Sequence, residues 1–303
     1  MSDALAEFLA KHPGHNLDLG KGVFYHYLDE GAGEPVVMVH GNPSWSFYYR
    51  KLVEALSPDY RVIVPDHIGC GMSSKPGDGR YDYTLETRVR DLEMLLEHLE
   101  IDRGITLVLH DWGGAIGMGF AAKYPEKIAR LIILNTAAFH LPKTKSFPWL
   151  LWLCRDTPLS AWLVRGLNLF CKGTAAIGCK HHQMSRGVRH AYLAPYNSWS
   201  DRIAIHRFVQ DIPLRAGDRS YSLVTFMQER LSLFAETPAL IAWGLKDFVF
   251  DRHFLAEWER YLPKAEVLRF PHSGHYLLED ESEVILPKVR TFLAENPVLR
   301  TVG

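Results

Sequence analysis

Apolar positions along this chain fall into short solid runs separated by longer stretches with a helical period. Val36–Val39, Arg61–Val64, Ile105–Leu109, Ile128–Leu134, Ala239–Trp243 and Glu266–Phe270 are dominated by apolar and β-branched residues. Such runs predict strands buried on both faces. An earlier strand is expected over Gly22–Leu28, closed by a glycine-rich turn at Gly31–Gly33. Helices are expected over Ser46–Leu56, Thr84–Leu99, Ala115–Tyr124, His253–Tyr261 and Glu281–Leu293. In the second of these, Leu85, Val89, Leu92, Leu95, Leu96 and Leu99 share one side, as an amphipathic helix requires. Strand–helix alternation implies an α/β fold with a mostly parallel sheet covered on both faces. The alternation lapses from about Ala137 to Val224, where helical segments and loops carry no strand pattern. The expected organisation is therefore a core of residues 1–136 and 225–303 with residues 137–224 inserted as a helical cap over the sheet's C-terminal edge.

Composition narrows the function without choosing it. The chain has 303 residues, 47% hydrophobic, with net charge −1. Disorder is excluded, and nothing marks the whole chain as nucleic-acid binding. The first residues, MSDALAEFLAKHPGHN, carry acids and lack an apolar signal core, so a cytoplasmic protein is expected. No apolar run approaches the ~20 residues of a membrane span. Cys70, Cys154, Cys171 and Cys179 fit no zinc spacing, and Cys179 with His181 and His182 matches no ligand signature, so no metal or cofactor is expected. Charge is uneven: residues 141–220 hold 12 Lys+Arg against 4 Asp+Glu, net +8, leaving −9 elsewhere. A basic cap on an acidic body suits an acidic partner or an anionic membrane surface; the alternative is a set of dispersed, solvated helix faces. Within the cap, Phe147, Trp149, Leu150, Leu151, Trp152 and Leu153 are expected to pack between cap and core. Part of that run should wall an apolar cavity for a small-molecule substrate.

The chemistry centres on TLVLHDWGGAIGMG, Thr106 to Gly119. A buried strand turning sharply into a helix presents one side chain at the bend, and here that side chain is Asp111. A carboxylate there is either a nucleophile that forms a covalent ester or simply the N-cap of its helix. Gly113, Gly114, Gly117 and Gly119 each cost helix stability, up to roughly 1 kcal/mol, which points to close backbone approach. His275 follows the last strand in the loop Pro271–His275 and suits a general base; its neighbour His272 is the local competitor. Asp247, just past Ala239–Trp243, is the candidate acid that orients His275. The end of the strand near Asn135 offers no carboxylate. Asn42, in the loop His40–Pro43, and Trp112 supply backbone and side-chain donors for an anion. Nucleophile, acid and histidine then occur in the chain order of α/β-hydrolases.

These residues carry a resemblance. HGNPSWSFYYR, VPDHIGCGMSSKP, HDWGGAIG, GLKDFVFDRHF and SGHYLLED occur in the order found in the haloalkane dehalogenase-like group of α/β-hydrolases. The placement of the acid, with Asn42 early, is similar to the third dehalogenase subfamily. That resemblance implies an α/β-hydrolase fold with Asp111 as nucleophile, His275 as base, Asp247 as acid, and Asn42 with Trp112 as the anion-binding pair. Within the group, DHIGCG, NTAAFHLPK, PWLLWLCRDTPL and RFVQDIPL resemble the β-lactone decarboxylases of bacterial long-chain olefin synthesis. Those enzymes convert cis-β-lactones bearing two alkyl chains to cis-alkenes and CO₂, and they work beside other olefin-synthesis enzymes. One departure stands out: Leu109, two residues before Asp111, replaces the small residue of the general pattern.

The implied activity is decarboxylation of a cis-3-alkyl-4-alkyloxetan-2-one by an Asp nucleophile, with attack at the carbonyl or at a ring carbon left open. Haloalkane dehalogenation through an alkyl-enzyme ester uses the same five residues and is the nearest alternative. Epoxide hydrolysis would call on cap tyrosines such as Tyr192, Tyr196 or Tyr221. A non-catalytic scaffold would not need the complete set.

Overall fold

A computed structural model describes residues 2–298. Eight strands form one sheet: β1 (His15–Asp18), β2 (Phe24–Glu30), β3 (Pro35–Val39), β4 (Arg61–Pro65), β5 (Ile105–Asp111), β6 (Ile128–Thr136), β7 (Ala239–Gly244) and β8 (Glu266–Phe270). Their order is β1-β2-β4-β3-β5-β6-β7-β8. The pairs β1/β2 and β2/β4 are antiparallel, and the remaining pairs are parallel. This is the α/β architecture that the alternation predicts.

The central strands show why they read as solid apolar runs. Val37 and Val39 of β3, Leu107 and Leu109 of β5, and Ile133 of β6 point into one buried core. Their alternates Val36, Met38, Val108 and Ile132 point into a second core on the opposite face. Both faces are covered, so neither set of positions tolerates polarity. The helices Leu85–His98 and Trp112–Lys123 contribute to the first core. The helices Arg50–Leu56 and Ser282–Glu295 contribute to the second.

Several boundaries differ from expectation, each for a local reason. The early strand starts at Phe24, because Gly20 and Gly22 adopt positive φ and form the turn before it. Ser46–Tyr49 is a 3₁₀ turn that leads into the helix Arg50–Leu56. The N-terminal helix Asp3–Lys11 and strand β1 were not anticipated. The helix buries only Leu5 and Phe8, and β1 is mostly exposed, so neither leaves a strong apolar signature. Thr84 caps its helix as the sequence suggests, its hydroxyl accepting the Thr87 N–H.

Between β6 and β7 the described residues form only helices and loops, including Trp149–Asp156, Leu169–Ile177, Arg186–Leu193, Ile203–Gln210 and Tyr221–Arg230. The last of these, Tyr221–Arg230, runs unbroken through position 224, the expected end of the inserted segment.

Candidate active site

The gap expected between strand and helix around Asp111 does not exist. β5 runs to Asp111 and the helix starts at Trp112. The whole reversal falls on Asp111, at φ 52°, ψ −127°. A non-glycine residue in that region is strained and persists only where its surroundings hold it. The helix glycines make the close approach that their cost suggested, since neighbours leave no room for a Cβ. One at Gly113 would strike the Val39 carbonyl, and one at Gly114 would strike Thr136 and Ala137. One at Gly117 would strike the Leu109 side chain, so the bulky residue two before Asp111 fills the space that glycine vacates. Gly41 lies against the Asp111 side chain in the same way.

Asp111 makes no side-chain cap bond to its helix. Its Oδ1 accepts the backbone N–H of Asn42 at 2.5 Å, and the Trp112 N–H lies close enough to lower the carboxyl's pKa. The reading of Asp111 as a mere helix cap therefore fails. Asp111 Oδ2 lies 3.7 Å from His275 Nε2. His275 Nδ1 in turn donates to Asp247 Oδ2 at 2.8 Å, and Asp247 Oδ1 accepts the Val249 N–H at 2.8 Å. All three side chains are buried. Burial pushes the Asp111 carboxyl up to about 6, against the lowering pull of His275 and the two N–H donors. Burial also works against charging the His275 ring, but the Asp247 carboxylate and then Asp111 outweigh it and raise its pKa.

Asn42, Asp111, Trp112 and His275 line one cavity. Its other walls are largely apolar: Phe248, Phe250 and Phe254 from the core side, and Phe139, Phe147, Leu151, Phe170 and Ile212 from the segment 137–224. The Asn42 amide donates to the Ile205 carbonyl of the cap at 3.2 Å. Of the apolar run in the cap, Phe147 and Leu151 reach the cavity, but Trp149, Leu150 and Trp152 face solvent. The expectation that the whole run packs between cap and core is corrected: Leu151 and Arg155 take the inner face of the helix Trp149–Asp156. The cap tyrosines are committed elsewhere. Tyr192 donates to Glu279 and Tyr196 to the Ser44 carbonyl, while Tyr221 packs on His140. None of them lines the cavity.

His272 is exposed and outside the site. Among the described residues no cluster of His, Cys, Asp or Glu is arranged to hold a metal ion. His181 instead bonds Glu281, and His182 bonds the Asp280 carbonyl.

Three supporting residues escaped the sequence reading. His110 donates from Nε2 to the His275 carbonyl at 2.9 Å, and burial holds its pKa well below the usual range. Asn135 ties the ends of β6 and β7, donating to the Gly244 carbonyl and accepting its N–H. Asp280 accepts four N–H groups: those of Lys180, His181 and His182 in the cap and that of Gly274 beside His275. A capping-type pattern could have flagged Asp280 through Gly274, but its other three partners lie about a hundred residues away in sequence.

The α/β-hydrolase fold model matches residues 34–154 and 180–282. A cis-3-alkyl-4-alkyloxetan-2-one decarboxylase of Shewanella oneidensis is 57% identical over 276 residues, covering 91% of this chain and 87% of that protein. The chain belongs to the α/β-hydrolase family, alongside these decarboxylases. A second such decarboxylase, from Xanthomonas campestris pv. campestris, is 49% identical over 299 residues, covering 95% of this chain and 99% of that protein. A haloalkane dehalogenase of Agrobacterium tumefaciens superposes with a TM-score of 0.82 at 22% identity, covering 94% of this chain and 97% of that one, a likeness of fold. The likeness to the two decarboxylases runs through the cap as well as the core, and no helix among the described residues is long and apolar enough to cross a membrane.

Proposed function

We propose that this enzyme decarboxylates a cis-3-alkyl-4-alkyloxetan-2-one by attack of Asp111 Oδ2 on the ring carbon C4. The observation that carries the choice of carbon is the occupancy of the backbone donors. The Asn42 N–H already holds Asp111 itself, and the Trp112 N–H lies beside the same carboxyl and lowers its pKa. Attack at the lactone carbonyl would create a tetrahedral oxyanion that needs such donors. Attack at C4 creates none. The Oδ2–C4 bond forms, the C4–O1 bond breaks, and its electron pair becomes a carboxylate attached to C3. The indole N–H of Trp112 and the Asn42 amide, both at the cavity, are the groups available to that anion.

The ester then collapses. The C3–C2 bond breaks and its pair becomes the C3=C4 double bond. The C4–Oδ2 bond breaks and its pair returns to Asp111, with CO₂ released. His275, held toward its charged form, faces Oδ2 as negative charge returns. No water or net proton is consumed. Inversion at C4 followed by anti elimination converts a cis-lactone to a cis-alkene. The apolar cavity supports a substrate whose bulk is hydrocarbon. We assign the enzyme to the cytoplasm, a reading supported by four free cysteines.

The test is incubation of the purified protein with a cis-3,4-dialkyl β-lactone, with products separated by gas chromatography. The expected product is the cis-alkene. A β-hydroxy acid as the main product, or halide release from haloalkanes with no alkene, would overturn the assignment.

A further inference from the structure

The cap leaves an apolar surface uncovered. Trp149 is 68% exposed, Leu159 63% and Trp162 56%, with Leu150 and Trp152 also exposed, all within fourteen residues. The chain has eight tryptophans. The four that are strongly exposed all lie in the cap, Trp199 being the fourth. Contiguous exposed apolar surface on a folded protein marks an interaction site.

Charge indicates what covers it. Cap acids are engaged locally: Asp156 and Asp218 by Arg155, Asp211 by Ser220 and the Leu85 N–H, and Asp201 by the Ser198 N–H. Part of the basic excess docks the cap on the core, with Arg207 on Asp78, Arg219 on Asp82 and Lys145 on Asp251. Lys143, Arg165, Lys172, Lys180, Arg186 and Arg189 have no carboxylate within 4.0 Å among the described residues. Two of these cations border the apolar residues. The Arg165 guanidinium lies 4.6 Å from the Trp199 ring centre, and Lys172 donates to the Leu167 carbonyl. Tryptophan with flanking cations on long stems is the composition that seats at a lipid headgroup boundary. Protein interfaces are instead depleted of lysine.

We infer that this cap face docks on an anionic phospholipid bilayer, so that the cavity loads its lactone from the membrane. The helix Trp149–Asp156 joins the two, with Leu151 in the cavity wall while Trp149 and Trp152 face outward. The docking claim stands on the surface; the loading claim rests on the lactone reading above. A molecule with two alkyl chains resides in bilayers, and a docked cap shortens its path to Asp111.

The test is vesicle flotation at low and high salt, using phosphatidylcholine alone and phosphatidylcholine with phosphatidylglycerol. Expected is binding to the phosphatidylglycerol vesicles, at least tenfold weaker to phosphatidylcholine alone and reversed by salt. Combined Trp149→Ser, Trp152→Ser and Trp162→Ser substitutions should cut vesicle binding at least tenfold while turnover of a dispersed short-chain lactone is unchanged. Absence of flotation at low salt, flotation that ignores both lipid charge and the three substitutions, or a dimer that those substitutions dissociate would overturn the inference. Vesicle binding without alkene formation from any lactone would leave the docking surface standing and remove the catalytic reading.

Discussion

The Asn42 N–H reaches Asp111 Oδ1 at 2.5 Å, so the carboxylate proposed as nucleophile sits where other hydrolases of this architecture hold a substrate oxygen. With Oδ1 held, only Oδ2 is free to attack, and both lactone oxygens must leave together as CO₂. A lactone labelled with ¹⁸O in the ring should therefore deliver its label to the released CO₂, as read by mass spectrometry of the gas. Label retained in a C4 hydroxyl would mean attack at the carbonyl.

Burial raises the Asp111 carboxyl to about 6, and in the proposed mechanism only the ionised form attacks. Below that pH the folded enzyme holds the proton and loses its nucleophile. A plot of kcat/KM against pH should fall about tenfold per unit below roughly pH 6, with a one-proton slope. An acid limb near pH 4, the range of an ordinary carboxylate, would contradict this.

The same shift destabilises the fold at neutral pH. The folded-state pKa, about 6, lies above the ordinary 3.8, so the folded protein binds the extra proton between those values. Stability therefore falls as pH rises through that window, by about 3 kcal/mol at most. Asp111→Asn, which cannot ionise, should be inactive yet more stable than the parent by roughly 1–3 kcal/mol at pH 7. Urea unfolding at pH 7 and at pH 4 checks this: the advantage should shrink at the lower pH, and a variant less stable at pH 7 would refute it.

Asp280 is a positioning residue. Its carboxylate accepts the Gly274 N–H at 2.8 Å and the His182 N–H at 2.9 Å, tying the loop of His275 to the cap. Asp280→Ala strands four donors and should cost roughly 3 kcal/mol or more. Loss of alignment at His275 should lower kcat by about 10- to 100-fold, with Asp280→Asn intermediate. A folded Asp280→Ala protein with unchanged kcat would show that the tie is only structural.

Much of this was legible in residue order. Five of the six parallel-sheet strands announce themselves because both sheet faces are buried there, whereas the edge strand β8 carries exposed Glu266 and Arg269. The candidates Asp111, Asp247, His275, Asn42 and Trp112 were legible because each stands at or just past a strand end, and the structure brings all five together. What stayed hidden depends on through-space partners. Leu109 reads as a departure until Gly117 is seen against it. The outward turn of Trp149 and Trp152 depends on which face of a short helix meets the core, and an apolar run on both faces does not say.

The 3.2 Å bond from the Asn42 amide to the Ile205 carbonyl ties an electrostatic part to the cap. Ile205 belongs to the helix Ile203–Gln210, so the aim of that amide depends on where this helix sits. Sequence drift that shifts the helix would thus re-aim a donor at the reactive centre without altering any group that lines the cavity.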